Sequence, residues 1–275
     1  MVGKLLECTV ELPGAAVPSF TLSYDPDSEV QRGMHEDISS GRMYETGTWE
    51  TFRAILRPGD TFVDVGAHVG TFSALAAALV GDEGEVVAFE PDNANRKGWY
   101  RNVDHFASAV VCEEAVSDTN GYIPFYKCRD NDGGHAIYPP GNQGGNPKSR
   151  ANPARRMARC TTLDSLLLSQ CRLLKIDVEG AECSVLRGAQ GLIAGCRPAI
   201  IAEQNTPGQM VMGDNEDYLR GLVRRHGYRE YAIQDSAPHL VPLTKAETVR
   251  PMQGKAFVTF NWCLVPNEWP ELVYG

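Results

Sequence analysis

The chain has no stretch approaching eighteen uncharged apolar residues, and its first residues carry Glu7 and Glu11 where an export signal would need an apolar core. A soluble, non-exported, cytoplasmic protein without a membrane span is expected. It has no CxxC pair and no Cys/His spacing suited to zinc, although it holds eight cysteines, at 8, 112, 128, 160, 171, 183, 196 and 263. Those are expected as small buried hydrophobes in a reducing compartment rather than as disulfides. Basic residues are outnumbered, 26 Lys and Arg against 35 Asp and Glu, for a formal net charge of −9. A protein that chiefly coats nucleic acid or anionic membrane needs the opposite excess, so both are disfavoured as partners. Internal repeats are also absent.

What remains is a folded composition, 43% hydrophobic and 22% charged over 275 residues, enough for one large α/β domain with a short extension. Residues 1–45 read as that extension: two alternating runs, 5–12 and 19–24, flank Pro13-Gly14 as a hairpin, and 28–40 suits a polar helix. From Thr61 strands and helices alternate. Strands are expected at 61–65 (TFVDV), 85–90 (EVVAFE), 109–116, 173–178 (LLKIDV) and 199–203, with another at 122–128. Helices are expected at 71–80, 93–106, 181–193 and 215–226. Residues 231–234 and 257–265 close the chain as strands. Between Gly133 and Arg159 the composition turns to Gly, Pro, Asn and Arg, which predicts a long basic loop. Such alternation builds a mostly parallel, doubly wound sheet, and the final strand pair supplies an antiparallel last strand.

Ligands of such sheets bind at the carboxyl ends of the strands. The first strand runs into Asp64-Val65-Gly66-Ala67-His68-Val69-Gly70, where two glycines permit a tight turn and close approach to a ligand ahead of a helix N-terminus. Glu90, twenty residues past Gly70, ends the next strand, where a carboxylate accepts hydrogen bonds from ribose hydroxyls. The pair points to an adenosine-containing cofactor. The loop is G-x-x-x-G and follows an acid, which suits an ammonium better than a pyrophosphate. S-adenosylmethionine therefore fits better than NAD.

The segments DVGAHVG (64–70), AFEP (88–91), EAVSD (114–118) and above all KIDVEGAE (175–182), followed by VLRG (185–188), resemble the FkbM family of S-adenosylmethionine-dependent methyltransferases. The resemblance covers roughly residues 45–205. It implies a class I methyltransferase (Rossmann-like) fold with seven strands over residues 46–275, and methyl transfer to a hydroxyl of a sugar, glycan or small natural product. Carried over, it assigns Asp64, Gly66 and Gly70 to the methionine end of the cofactor, Glu90 to the ribose, the stretch Ala115, Val116 to Asp118 to the adenine edge, and Asp177 to the methyl group. His68 stands where the family leads one to expect Asn.

A hydroxyl is a weak nucleophile, so a base or a metal is useful. Asp177 is the first candidate base, with Glu203 facing it from the next strand end and His68 as a third. Asp177, Glu203 and Asn205 would also suit Mg²⁺ or Mn²⁺ through oxygen ligands. Glu182, in the first turn of a helix, reads as structural, and Glu179 as a turn residue at Gly180. His135 is placed to approach an acceptor from above. Glu45 lies in a segment crossing the pocket and is a further cofactor candidate. Nucleic-acid or protein methylation, oxidoreduction with NAD, and a non-catalytic cofactor-binding module remain rival readings.

Overall fold

The computed structural model describes residues 4–128, 131–139, 153–204, 206–214, 221, 224–235, 240–242, 261–270 and 272. The chain opens with an antiparallel hairpin, β1 (Leu6–Glu11) and β2 (Ser19–Tyr24), in which Val10 faces Phe20. Helix α1 (Glu29–Ser39) follows, started by Ser28, whose hydroxyl accepts the Gln31 N–H at 3.1 Å. Then come α2 (Thr46–Ile55), β3 (Thr61–Val65), α3 (Thr71–Val80), β4 (Glu85–Phe89), α4 (Asn93–Val103) and β5 (Ala109–Cys112). Every residue of α3 is buried, and its run of alanines lets it lie close on the sheet.

The second half supplies β6 (Ala115–Val116), β7 (Gly121–Lys127), β8 (Ala154–Thr161), β9 (Leu173–Ile176), α5 (Glu182–Arg187), α6 (Gln190–Cys196), β10 (Ala199–Glu203), α7 (Thr206–Val211), β11 (Tyr228–Ile233), β12 (Leu240–Pro242) and β13 (Asn261–Pro266). The central sheet runs β12-β11-β13-β10-β9-β3-β4-β5. Strands β5, β4, β3, β9 and β10 pair in parallel, and β13 is antiparallel to both β10 and β11. This is the doubly wound sheet of seven strands with an antiparallel last strand, extended at one edge by the three-residue β12.

Alternation along the strands sends side chains to two cores. Phe62, Ala88, Leu173 and Ile201 meet α2, α3 and the hairpin, while Val63, Phe89, Leu174 and Ile200 meet α5 and α6. The hairpin shares the first core. Val10, Leu22 and Tyr24 are fully buried there, and the Tyr24 hydroxyl meets Thr71 Oγ1 at 3.0 Å at the start of α3. All eight cysteines are free thiols, and most are buried.

Two sequence expectations change, and two others fall largely or partly outside the described residues. The stretch expected as a basic loop to Arg159 contains β8, which pairs with β7 antiparallel and β6 parallel in a separate three-stranded sheet. Its residues are mostly exposed, with three arginines among them, because only one face packs down, which hides the strand pattern. The helix expected over 181–193 is two short helices. At the break Gly188 packs against the chain where any Cβ would overlap the Ser117 carbonyl oxygen, and its own carbonyl accepts the Asp164 N–H at 2.9 Å. The helix expected at 215–226 lies largely outside the described residues, as does the first part of the strand expected at 257–265.

Candidate active site

At the carboxyl ends of β3, β4, β9 and β10 lies a cavity of about 280 Å³. Its floor begins at Asp64, an acid in a strand position whose neighbours Phe62 and Leu173 are core residues. Asp64 is 1% exposed; its Oδ2 accepts from Ser73 Oγ at 2.6 Å, and Ser73 in turn accepts from Trp99 Nε1 at 3.0 Å. The other oxygen, Oδ1, is buried with no hydrogen-bond partner among the described residues. Burial raises the Asp64 pKa, and the Lys175 ammonium opposes that rise.

Lys175 pairs with Asp64 in the β3–β9 register and is 2% exposed. Its Nζ donates to Asp177 Oδ2 at 2.8 Å and lies 4.8 Å from the centre of the Phe72 ring. Burial alone would lower its pKa, but Asp177, Asp64 and Glu45 together raise it, so the ammonium stays charged inside the fold. One cation thus serves three carboxylates.

Glu45 precedes α2 in a left-handed conformation, φ 52°. Its Oε2 accepts from Asn261 Nδ2 at 2.7 Å and Thr48 Oγ1 at 3.2 Å, tying the start of α2 to β13. Burial raises its pKa. Glu203 ends β10 on the same cavity wall, and its Oε2 is buried with no hydrogen-bond partner among the described residues. Burial, then the charges of Glu179, Asp177, Glu182 and Glu45, push its pKa well up.

Toward β4 the cavity is closed by Glu90, 5% exposed. Its Oε1 accepts the Asp92 N–H at 2.7 Å and its Oε2 the His68 N–H at 3.0 Å. The His68 amide reaches it because His68 takes φ 50°, a left-handed conformation that costs about 1 kcal/mol for a residue with a Cβ. Burial raises the Glu90 pKa to about 7, against the opposing pull of those amides and of His68. Gly66, φ 86°, sits where any Cβ would overlap the Asp177 carbonyl oxygen. Ala115 and Val116 line the wall beyond Glu90.

A roof closes the cavity from the β7–β8 sheet. Phe125, Asp132, His135 and Ile137 line it. The segment 131–139 is anchored by Asp132, whose carboxylate accepts from Ser28 Oγ at 2.8 Å and Gln31 Nε2 at 2.6 Å, while its carbonyl accepts from Asn95 Nδ2 at 2.9 Å. The Tyr138 hydroxyl donates to the Glu179 carbonyl oxygen. His68 Nε2 lies 3.5 Å from Asp132 Oδ1.

Of the residues singled out in the sequence, Glu45, Asp64, Gly66, His68, Glu90, Ala115, Val116, Asp177 and Glu203 share this one cavity. Gly70 does not line it; it caps α3 from below, against Trp99 and Val103. Asp118 points elsewhere, 2.8 Å from Arg187 Nε. Glu182 is fully buried and accepts the Gly180 N–H at 2.9 Å, so it binds that turn. Asn205 lies outside the described residues, and among those described no group of three His, Cys, Asp or Glu is arranged to hold a metal ion. Sequence reasoning missed Lys175 and Asp132. A lone charge inside the apolar run LLKI was the available signal for the first; the second has none, since Ser28 and Gln31, which anchor its carboxylate, lie 104 and 101 positions away.

The profile of the methyltransferase FkbM domain matches residues 64–230, more than half of the chain. The chain belongs to the FkbM methyltransferase family. The matched region is an S-adenosylmethionine-dependent methyltransferase domain, and the partnerless Asp64 Oδ1, the cradle at Gly66 and the Glu90 carboxylate fit that cofactor. Among relatives, the AMB antimetabolite synthetase AmbE of Pseudomonas aeruginosa is 26% identical over 216 residues, 66% of this chain and 10% of that protein. This family member thus spans about a tenth of that relative's length. Among solved structures, methyltransferase FkbM from Methylobacillus flagellatus is 14% identical, with 78% of this chain and 50% of that chain covered and a TM-score of 0.45. An rRNA methylase from Streptococcus thermophilus is 12% identical, with 80% and 94% covered and a TM-score of 0.45. Among the described residues no helix is long and apolar enough to cross a membrane.

Proposed function

We propose that this methyltransferase acts on a hydroxyl oxygen of a small natural product or a glycan, with Asp177 taking the hydroxyl proton. The observation that carries the reading is the Lys175–Asp177 pair: a buried ammonium fixes one oxygen of a carboxylate whose side chain is still 31% exposed at the cavity wall. A base must be both oriented and reachable, and this arrangement provides both. S-adenosylmethionine, when bound, supplies the methyl group as a sulfonium substituent.

The chain's own groups divide the remaining work. Asp64 offers its partnerless Oδ1 to the methionine ammonium, and Gly66 allows the close approach. Glu90, aligned by the His68 and Asp92 amides, accepts from ribose hydroxyls, and Ala115 and Val116 flank the base. Glu203 and Glu45 face the acceptor from β10 and α2, and His68 supports the cofactor loop rather than taking the proton. A phosphate-bearing acceptor suits this end of the cavity poorly, because its carboxylates repel it. Nucleic acid is disfavoured further because Arg156 and Arg159 of β8 are paired with Asp92 at 3.2 Å and Glu114 at 3.3 Å. The name of the Pseudomonas relative, an antimetabolite synthetase, favours small-molecule chemistry.

The test is a methyl-transfer screen over free glycans, nucleotide sugars and phenolic or polyketide alcohols, with products located by mass spectrometry and each reaction repeated in EDTA. Methylation at oxygen is expected, with Asp177→Asn lowering turnover roughly a hundredfold or more while S-adenosylhomocysteine affinity changes little. Transfer to nitrogen or to nucleic acid, or full turnover in Asp177→Asn, would overturn the reading. Turnover lost in EDTA and restored by Mg²⁺ or Mn²⁺ would instead give Asp177 and Glu203 a metal to hold.

A further inference from the structure

We propose that His135 donates a hydrogen bond from Nε2 to a ribose hydroxyl oxygen of the cofactor, so that the roof segment 131–139 forms half of the ribose site. The inference rests on the reading of Glu90 as the ribose carboxylate. A carboxylate only accepts, whereas each ribose hydroxyl both donates and accepts, so a buried ribose held by Glu90 alone keeps unsatisfied lone pairs. The site needs a donor.

His135 has the chemistry for it. Its Nδ1 accepts the Cys128 backbone N–H at 3.2 Å. A ring nitrogen that accepts carries no proton, so that bond assigns the proton of the neutral ring to Nε2. Nε2 is buried with no hydrogen-bond partner among the described residues, and His135 lines the cavity. Burial lowers its pKa to about 4, with Asp92 and Asp132 pulling against and Lys127 and His68 pulling along, so the neutral ring is the form present near pH 7. Contacts on either side place it. Asp92, whose amide clamps Glu90, is bound by Lys127, the residue before Cys128, and His68, whose amide clamps the other oxygen of Glu90, lies 3.5 Å from Asp132, so the orphan donor and the ribose acceptor line one cavity.

The ring is also held still. Phe125 meets it edge-on with centroids 5.7 Å apart, and Cys128 Sγ donates to the Gly134 carbonyl oxygen at 2.8 Å beside it. Asp132, three positions earlier, fixes the segment to α1 and α4.

The test is calorimetric titration of the whole chain with S-adenosylhomocysteine and with its 2′-deoxy and 3′-deoxy analogues. His135→Phe keeps a ring against Phe125 and deletes the donor; it is expected to weaken S-adenosylhomocysteine roughly three- to tenfold, the size of one neutral hydrogen bond. His135→Gln, which keeps a donor, is expected to recover most of that loss. With one of the two deoxy analogues, wild type and His135→Phe are expected to bind equally, because the group that His135 touches is gone. An unchanged affinity in His135→Phe, or the same loss with both deoxy analogues, would overturn the proposal. Should His135→Phe not fold, wild type binding both deoxy analogues as tightly as S-adenosylhomocysteine overturns it without a variant. Glu90→Gln separates the two readings: if it leaves affinity unchanged, the ribose assignment itself fails, and if it weakens binding while His135→Phe does not, only the role of His135 fails.

Discussion

The floor of the cavity takes its charged groups from the ends of adjacent strands, with Asp64 on β3, Glu90 after β4, Lys175 and Asp177 on and after β9, and Glu203 on β10. The roof is fastened differently, by Lys127 and Arg156 reaching down to Asp92 and by Asp132 hydrogen-bonded to α1. Lys175 is 3% exposed at its side chain, whereas Lys127 and Arg156 are 37% and 40% exposed. The same kind of contact, ammonium or guanidinium to carboxylate, therefore has different consequences in the two places. Inside the floor, removing one partner strands a charge in low dielectric. At the roof the two cations are half in water and share one carboxylate, so the loss of either leaves Asp92 a partner and costs little.

The largest effect expected from this contrast follows from Lys175→Met. It leaves Asp64, Glu45 and Asp177 without the cation they share, and loss of one member of a buried pair costs about 3–5 kcal/mol. Urea unfolding measures it. Adding Asp64→Asn to that variant should recover a good part, because the stranded charge is then removed. A loss under roughly 1 kcal/mol would put the floor on the same footing as an exposed pair and break the comparison.

Glu90 provides the next test, through pH. Its pKa is about 7 in the fold against an ordinary 4.5, with burial as the main cause. A carboxyl whose folded pKa is raised stabilises the fold fully below pH 4.5, and that contribution is lost as pH rises through about 7. The ligand-free protein should therefore lose up to about 3 kcal/mol from this group between pH 5 and 8, and Glu90→Gln should flatten that part of the slope. At pH 8 the variant should be more stable than wild type yet bind S-adenosylhomocysteine less well. Identical pH slopes in the two proteins would mean that Glu90 is not held ionised against its surroundings.

The same division explains what could be read in the sequence. Floor residues follow from period and position: a strand pattern ends, a turn follows, and the residue at the end faces the cavity, as with Asp64, Glu90 and Asp177. Lys175 escaped because an apolar strand with one charge reads simply as a strand. The roof escaped because its fastenings are non-local. Gln31 and Asp132 are 101 positions apart, and the inward face of β8 offers only small groups such as Ala158 and Cys160 as a pattern. Asp118 shows the limit of carrying a motif over: its neighbours Ala115 and Val116 reach the cavity, but Arg187 on α5 holds Asp118 outside it.

Arg156→Ala gives the smallest expected effect and tests the roof directly. Arg156 meets Asp92 at 3.2 Å, but Lys127 Nζ already lies 2.9 Å from the same oxygen, so the carboxylate keeps a partner. A loss of about 1 kcal/mol or less in urea unfolding is expected, together with faster dissociation of S-adenosylhomocysteine as the roof loosens. Removing Lys127 as well changes the physics. The Asp92 side chain is 1% exposed, so without either cation it becomes a buried charge like those of the floor. Lys127→Ala with Arg156→Ala should therefore cost more than the two single losses added together, by roughly 1 kcal/mol or more. Simple additivity would show that Asp92 is solvated when the roof opens, and that the roof is weaker than its hydrogen bonds suggest.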